Sequence, residues 1–291
     1  MFGGSMVALV TPMKTSGDVD YAALSNLIDF HVEQGTDALV VAGTTGESPT
    51  LTGEEHAAVI RESVRLARGR IPVIAGTGSN STRQTLELSR EVDQFGVDGF
   101  LLVVPYYNKP NQEGLYRHFR AVAAEVSKPV VLYNVPGRTS CDLQPETVAR
   151  LAELDNVVAI KEATGDLERF EEVHRRCGEA IEIYSGDDGT AMELMLRGGV
   201  GDISVTANVA PAAMHDLCAA ASSGDRERAE EINAKLEPLH RDLAIECNPI
   251  PVKWALAEMG LIEPGIRLPL VPLDARYQDR VRESLRGAGV L

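Results

Sequence analysis

Eight short apolar runs recur along this 291-residue chain, at 5–10, 38–42, 71–75, 99–104, 130–133, 157–161, 181–184 and 201–205, each followed by an amphipathic segment. Runs this short and this apolar suit strands covered on both faces, as in a parallel sheet. Eight β-then-α units predict an α/β fold of one kind, the (β/α)8 TIM barrel. A doubly wound sheet would need fewer strands and usually a glycine-rich first turn, and none follows Val10. Between the runs, Leu24, Leu27, Ile28 and Val32 repeat at helical spacing, with Asp20 placed to cap that helix and Gly35 to end it. Thr52 with Glu55, and Ser81 with Gln84, have the spacing of capping boxes, and Gly178 and Gly198 close later helices. After Val205 strand signals stop. Residues 225–244 are patterned as a helix in which Pro238 is expected to make a kink or break, and Asn248-Pro249-Ile250-Pro251 forms a joint before a helix carrying Trp254. The expected division is a catalytic barrel over 1–224 and a C-terminal helical extension over 225–291, available for contacts between subunits.

In such a barrel the loops after the strands converge on one face, where sites are built. The residues that fall there are rich in hydroxyls and include one amine. Of the six lysines only Lys161 ends an apolar run; Lys128 precedes one, and the others, Lys253 among them, lie in loops or helical segments. A lysine at a buried strand end either caps a carbonyl or pairs with a carboxylate, or it is an amine kept neutral to attack a carbonyl and form a Schiff base. Tyr133 ends the neighbouring strand and could relay protons, although alone it also reads as a core tyrosine. Thr44 and Thr45 stand in a glycine-flanked turn suited to a carboxylate, and Arg138 could grip a second carboxylate in two-pronged fashion. Each reads singly as a cap or a surface residue. Their convergence on one face with the amine points to Schiff-base chemistry on a small keto acid.

Other chemistries find less support. The six histidines are scattered without metal-ligand spacing, and there is no Walker loop and no G-x-S-x-G elbow. Asp187 and Asp188 follow strand seven, where barrels often hold phosphate, which disfavours a phosphorylated substrate. A net charge of −15 argues against a nucleic-acid partner. No apolar run reaches the ~18 residues of a membrane span, and Met1-Phe2-Gly3-Gly4-Ser5 has no basic leader, so no membrane association and a cytoplasmic location are expected. Cys141, Cys177, Cys218 and Cys247 are widely separated, as for reduced thiols.

Gly43-Thr44-Thr45-Gly46-Glu47, Tyr133-Asn134-Val135-Pro136-Gly137-Arg138-Thr139, Ile160-Lys161-Glu162-Ala163 and Asn248-Pro249-Ile250-Pro251-Val252-Lys253-Trp254 resemble the signatures of the dihydrodipicolinate synthase family, pyruvate-dependent class I aldolases. The resemblance runs over essentially the whole chain. It implies condensation of pyruvate with L-aspartate 4-semialdehyde on the route to diaminopimelate and lysine, with no cofactor besides the covalent imine. It also implies a homotetramer built as a dimer of dimers. By position, Lys161 would form the Schiff base and Tyr133 would shuttle protons. Thr44 would link Tyr133 to Tyr107 of a neighbouring subunit. Thr45 would hold the pyruvate carboxylate, Arg138 that of the semialdehyde, and Gly186 and Ile203 would line the pocket. Sugar-acid lyases of the same class share the lysine and tyrosine, but typically lack the loop arginine and carry Ser-Thr for Thr-Thr. A related sugar-acid aldolase is therefore the alternative reading, and a barrel that only binds or regulates is another. The resemblance further implies an L-lysine cleft at Ser48, Pro49, Gly53, His56, Asn80, Gln84 and Tyr106. Gly53 and Gln84 depart from the histidine and glutamate of lysine-sensitive forms, so weak or absent inhibition is expected.

Overall fold

The computed structural model describes residues 2–291. Eight strands, β1 (Gly4–Ala8), β2 (Ala38–Val41), β3 (Val73–Gly76), β4 (Gly99–Val103), β5 (Val130–Asn134), β6 (Val157–Glu162), β7 (Glu182–Ser185) and β8 (Gly201–Ser204), close in sequence order into a parallel barrel. Every expected strand is present, with shifted ends. β3 starts at Val73 because Pro72 has no N–H to give the ladder, although its carbonyl still accepts from Leu39 (2.9 Å). Helices α1 (Tyr21–Glu33), α2 (Gly53–Ala67), α3 (Thr82–Asp93), α4 (Gln112–Ala123), the single turn α5 (Pro136–Thr139), α6 (Pro145–Leu151), α7 (Leu167–Cys177), α8 (Asp188–Leu196) and α9 (Pro211–Ser222) surround it. Helices α10 (Arg226–Asp242), α11 (Ile250–Glu258) and α12 (Ala275–Gly287) follow.

Strand alternation sorts the core into two bodies. Inside the barrel, Ala8, Ala38 and Ala159 interleave with Met6, Ile74, Leu101, Val131, Tyr133, Tyr184 and Ile203. Outside it, residues such as Val7, Leu39, Val41 and Leu132 meet the helices, and Leu24, Leu27 and Ile28 of α1 are wholly buried there. The same outer core continues through Ile232, Leu236, Leu256 and Val281 of the last three helices. Each such side chain contributes about 1.5–3 kcal/mol by leaving water.

The caps follow the side chains. Asp20 accepts from Ala22 and Ala23, and Thr52 and Glu55 form a reciprocal box. Ser81 makes only half of one: it accepts from the Gln84 N–H, while the Gln84 side chain turns to Ser79 (3.1 Å). α10 runs through Pro238 without the break that the proline could have made. Proline inside a helix costs about 3 kcal/mol. Burial of Ile232, Leu236 and Leu239 on the same helix outweighs that.

Candidate active site

The last inward positions of β5 and β6 are Tyr133 and Lys161, which are partners across the ladder. Lys161 is only 5% exposed, and its Nζ stands 4.6 Å from the centroid of the Tyr133 ring. Beside them the chain leaving β7 passes so close that a side chain is excluded. The Gly186 N–H donates to the Glu162 carbonyl (2.8 Å), and a Cβ at 186 would lie 2.6 Å from Lys161 Cε and 2.7 Å from Ala163 Cβ. Ile203, buried, faces the interior from β8. Asp188, counted at sequence level as a mouth residue, turns inward instead: its Oδ2 accepts from the Thr206 N–H (2.9 Å) and ties α8 to the end of β8.

After β2 the chain folds back on itself, with the Glu47 N–H donating to the Thr44 carbonyl (3.1 Å) and Ser48 to Gly43 (3.3 Å). Glu47 takes a left-handed conformation (φ 55°) that sends its carboxylate into the protein. There it pairs with Lys253 of α11 and accepts from the Arg267 N–H (3.3 Å). Both side chains of the ion pair are buried, at 3% and 0% exposure. Burial pushes the Lys253 ammonium below the usual lysine range, opposed by the charge of Glu47. Lys253 is thus a second buried lysine, which its helical position in sequence concealed.

The segment leading into α11 reaches the site directly. Asn248 Nδ2 donates to Thr45 Oγ1 (2.9 Å). The Asn248 carbonyl accepts from Arg138 Nη2 (3.3 Å), and Cys247 Sγ lies 3.6 Å from Arg138 Nη1. Arg138 stands on α5 rather than in an open loop. Sequence reasoning gave Asn248, Glu47 and Lys253 no role in the site, although all three stand inside the signature segments that carry the family resemblance.

A cavity of about 720 Å³ opens above this region between the chains after β2, β3, β4 and β5. Ser48, Pro49, Gly53, His56, Gln84 and Tyr106 line it together with Thr44 and Arg138; Lys161, Tyr133 and Asn80 do not. Asn80 is engaged by its carbonyl with Asn108 Nδ2 (2.8 Å). His56 Nε2 bonds the Gly76 carbonyl (2.7 Å); burial lowers the pKa of its ring, with that bond opposing. Tyr107 projects from a left-handed backbone (φ 75°) and is 86% exposed. Among the described residues, Tyr133 and Thr44 share no hydrogen bond, no group of three His, Cys, Asp or Glu could hold a metal ion, and no helix is long and apolar enough to cross a membrane.

Residues 1–288 match the model of the dihydrodipicolinate synthetase family. The 4-hydroxy-tetrahydrodipicolinate synthase of Alcanivorax borkumensis is 62% identical over 291 residues, covering all of this chain and 99% of that one. That of Pseudomonas aeruginosa is 60% identical, with both chains covered in full. The crystal structure of the dihydrodipicolinate synthase of Acinetobacter baumannii complexed with pyruvate superposes with a TM-score of 0.99 at 53% identity, over the whole of both chains. The enzyme from Cyanidioschyzon merolae with lysine bound gives 0.96 at 40% identity, covering 100% of this chain and 99% of that one. Alike in sequence and in fold from end to end, the chain belongs to the dihydrodipicolinate synthetase family.

Proposed function

We infer that the chain catalyses the 4-hydroxy-tetrahydrodipicolinate synthase reaction, condensing pyruvate with L-aspartate 4-semialdehyde through an imine on Lys161. The observation that carries this reading is the cross-strand pair of Lys161 and Tyr133, an amine held against a phenol inside the barrel mouth. The neutral amine adds to C2 of pyruvate, and the carbonyl oxygen leaves as water. The resulting iminium draws electrons from C3, which gives up a proton to become an enamine. C3 then bonds to the aldehyde carbon of the second substrate, whose oxygen takes up a proton. The amino group of that substrate adds at C2, closes the ring and frees Lys161. Tyr133 carries the protons, with Thr44 and the Tyr107 of a second copy completing its relay. Thr45 holds the carboxylate of pyruvate and Arg138 that of the semialdehyde, while Gly186 and Ile203 wall the pocket. These steps call on no cofactor beyond the covalent imine, and the relay requires an assembly of at least two chains.

Borohydride reduction in the presence of pyruvate tests the reading. Peptide mapping is expected to find the reduced pyruvate adduct on Lys161, and an adduct elsewhere or none would overturn it. An assay coupled to the reductase that consumes the product separates the synthase from a sugar-acid aldolase, which would cleave a sugar acid and leave the semialdehyde untouched.

L-Lysine is the effector that suits the cavity beside Thr44 and Arg138. Gln84 gives it an amide in place of a carboxylate, leaving Glu87 and Glu91 of α3 as the carboxylates of its lining, and Gly53 gives it no side chain at all. Removing a partner of a charged group weakens its binding by about 1–3 kcal/mol. Inhibition by L-lysine is therefore expected to be weak or absent, and strong inhibition at micromolar concentration would contradict that expectation.

A further inference from the structure

Immediately beyond Tyr133 and Lys161, the next residues on their strands are Asn134 and Glu162, which are also partners across the ladder. Strand alternation turns these two away from the barrel interior and into the layer between strands and helices. Earlier outward positions on the same strands are apolar, Leu132 and Ile160 among them. Asn134 is fully buried and Glu162 is 3% exposed. An acid and an amide here are costly unless every polar atom finds a partner, and an apolar pair of similar volume would serve packing at least as well.

The partners are all present. Asn134 Nδ2 donates to Glu162 Oε2 (3.1 Å) and to Asp142 Oδ1 (2.9 Å), and its Oδ1 accepts from the Leu143 N–H (2.9 Å). Glu162 Oε1 accepts from the Thr164 N–H (2.9 Å). Asp142 is gripped from α7 by the two-pronged Arg169 guanidinium, at 2.7 and 2.8 Å. Main-chain bonds close the frame, from Ala163 N–H to the Asn134 carbonyl (2.9 Å) and from Gly186 N–H to the Glu162 carbonyl (2.8 Å). The frame therefore locks the ends of β5 and β6 to each other and to the glycine that touches Lys161.

We propose that Asn134 and Glu162, braced by Asp142 and Arg169, are positioning residues that hold the Tyr133 hydroxyl and the Lys161 amine in working relation. They touch neither substrate. The inference rests on the reading of Lys161 and Tyr133 given above. Its mechanical content is that proton transfer at C3 fails when the two strand ends drift, even while pyruvate still binds and the protein stays folded.

A double variant, Asn134→Leu with Glu162→Met, replaces the polar pair with apolar side chains of similar size. It strands the Leu143 and Thr164 N–H groups, so it is expected to melt below the parent while remaining folded at the assay temperature. It is also expected to lose at least tenfold in kcat and in the rate at which deuterium leaves C3 of labelled pyruvate, with the KM for pyruvate within twofold. A purely structural pair would leave both rates unchanged in folded protein, and that result would overturn the proposal. Arg169→Gln and Arg169→Lys supply the second arm, at the partly exposed rim of the frame. The glutamine variant is expected to lose threefold or more in kcat with the lysine variant between it and the parent; equal kcat in all three would overturn the proposal as well. Borohydride trapping on the parent keeps the two levels apart. No adduct at Lys161 sinks the underlying reading, whereas trapping in the parent with undiminished exchange in the double variant sinks the frame alone.

Discussion

Two lysines of this chain are buried, and their surroundings give them opposite work. Lys253 faces a carboxylate in a closed setting and holds a loop in place. Lys161 faces an aromatic ring and a glycine at the end of β6. Gly186 is the residue that keeps Lys161 free, so Gly186→Ala should push the amine aside and lower turnover at least about a hundredfold, a loss on the scale of general acid–base contributions. Steady-state kinetics beside borohydride trapping would check this; a normal adduct yield would show that the lysine tolerates the methyl group. Tyr107 is exposed in the single chain, which suits a residue that works in the site of another copy. Tyr107→Phe should slow turnover about tenfold or more by steady-state assay, and unchanged kinetics would rule out the shared relay. Lys161 was legible in the sequence because a long polar side chain ending an apolar strand is anomalous. Lys253 was not, since its position in a helix says nothing of the carboxylate that comes to meet it.

At the scale of elements, the segment into α11 acts as a brace for the turn after β2. Removing one member of a buried ion pair strands the other charge, at a cost of about 3–5 kcal/mol. Lys253→Met should therefore lower stability by that order in denaturant unfolding and raise the KM for pyruvate, because Thr45 rides on the loosened turn. Adding Glu47→Gln to Lys253→Met removes the stranded charge and should recover much of the loss; a double variant as unstable as the single one would refute the pairing as its cause. The local signals around these elements were uneven guides. The Thr52 and Glu55 spacing reads directly because both partners lie within one turn. The Ser81 and Gln84 spacing misleads, since Ser79 competes for the same side chain. Pro238 breaks no helix because its cost is local, whereas the packing that outweighs it comes from other helices.

For the whole molecule, buried histidines set the response to acid. His31, wholly buried and bonded through Nδ1 to Thr36 Oγ1 (2.9 Å), has its pKa lowered by burial from 6.5 to about 3. Burial lowers His118 to about 4 and moves His56 and His240 in the same direction. As pH falls below 6.5 the unfolded chain takes up protons that the folded chain refuses, so stability drops and levels off only below the folded values. His31 alone accounts for an effect on the order of 5 kcal/mol once pH is below its folded value. Glu55, held down to about 2 chiefly by its bonds to Arg267, adds a loss in the same direction once pH passes below 4.5. Thermal midpoints should therefore fall steadily from pH 6.5 to 4, and His31→Gln should make that fall shallower; an unaltered slope would exclude its burial as a cause.

Eight apolar runs with amphipathic segments between them were enough to determine the barrel and its strand order, because hydrophobic periodicity and chain direction leave a parallel sheet of eight units few ways to close. The pairing of Tyr133 with Lys161 does not follow from them, because alternation leaves open which residues face inward and the β5–β6 register shifts between Val130 and Val131. What only the tertiary structure decided are the meetings between residues far apart in sequence. Asn248 reaches Thr45, Lys253 reaches Glu47, and Asn134 gathers Glu162 and Asp142 beneath Arg169. No local pattern announces such contacts, since each depends on a polar group being buried by one element and satisfied by another.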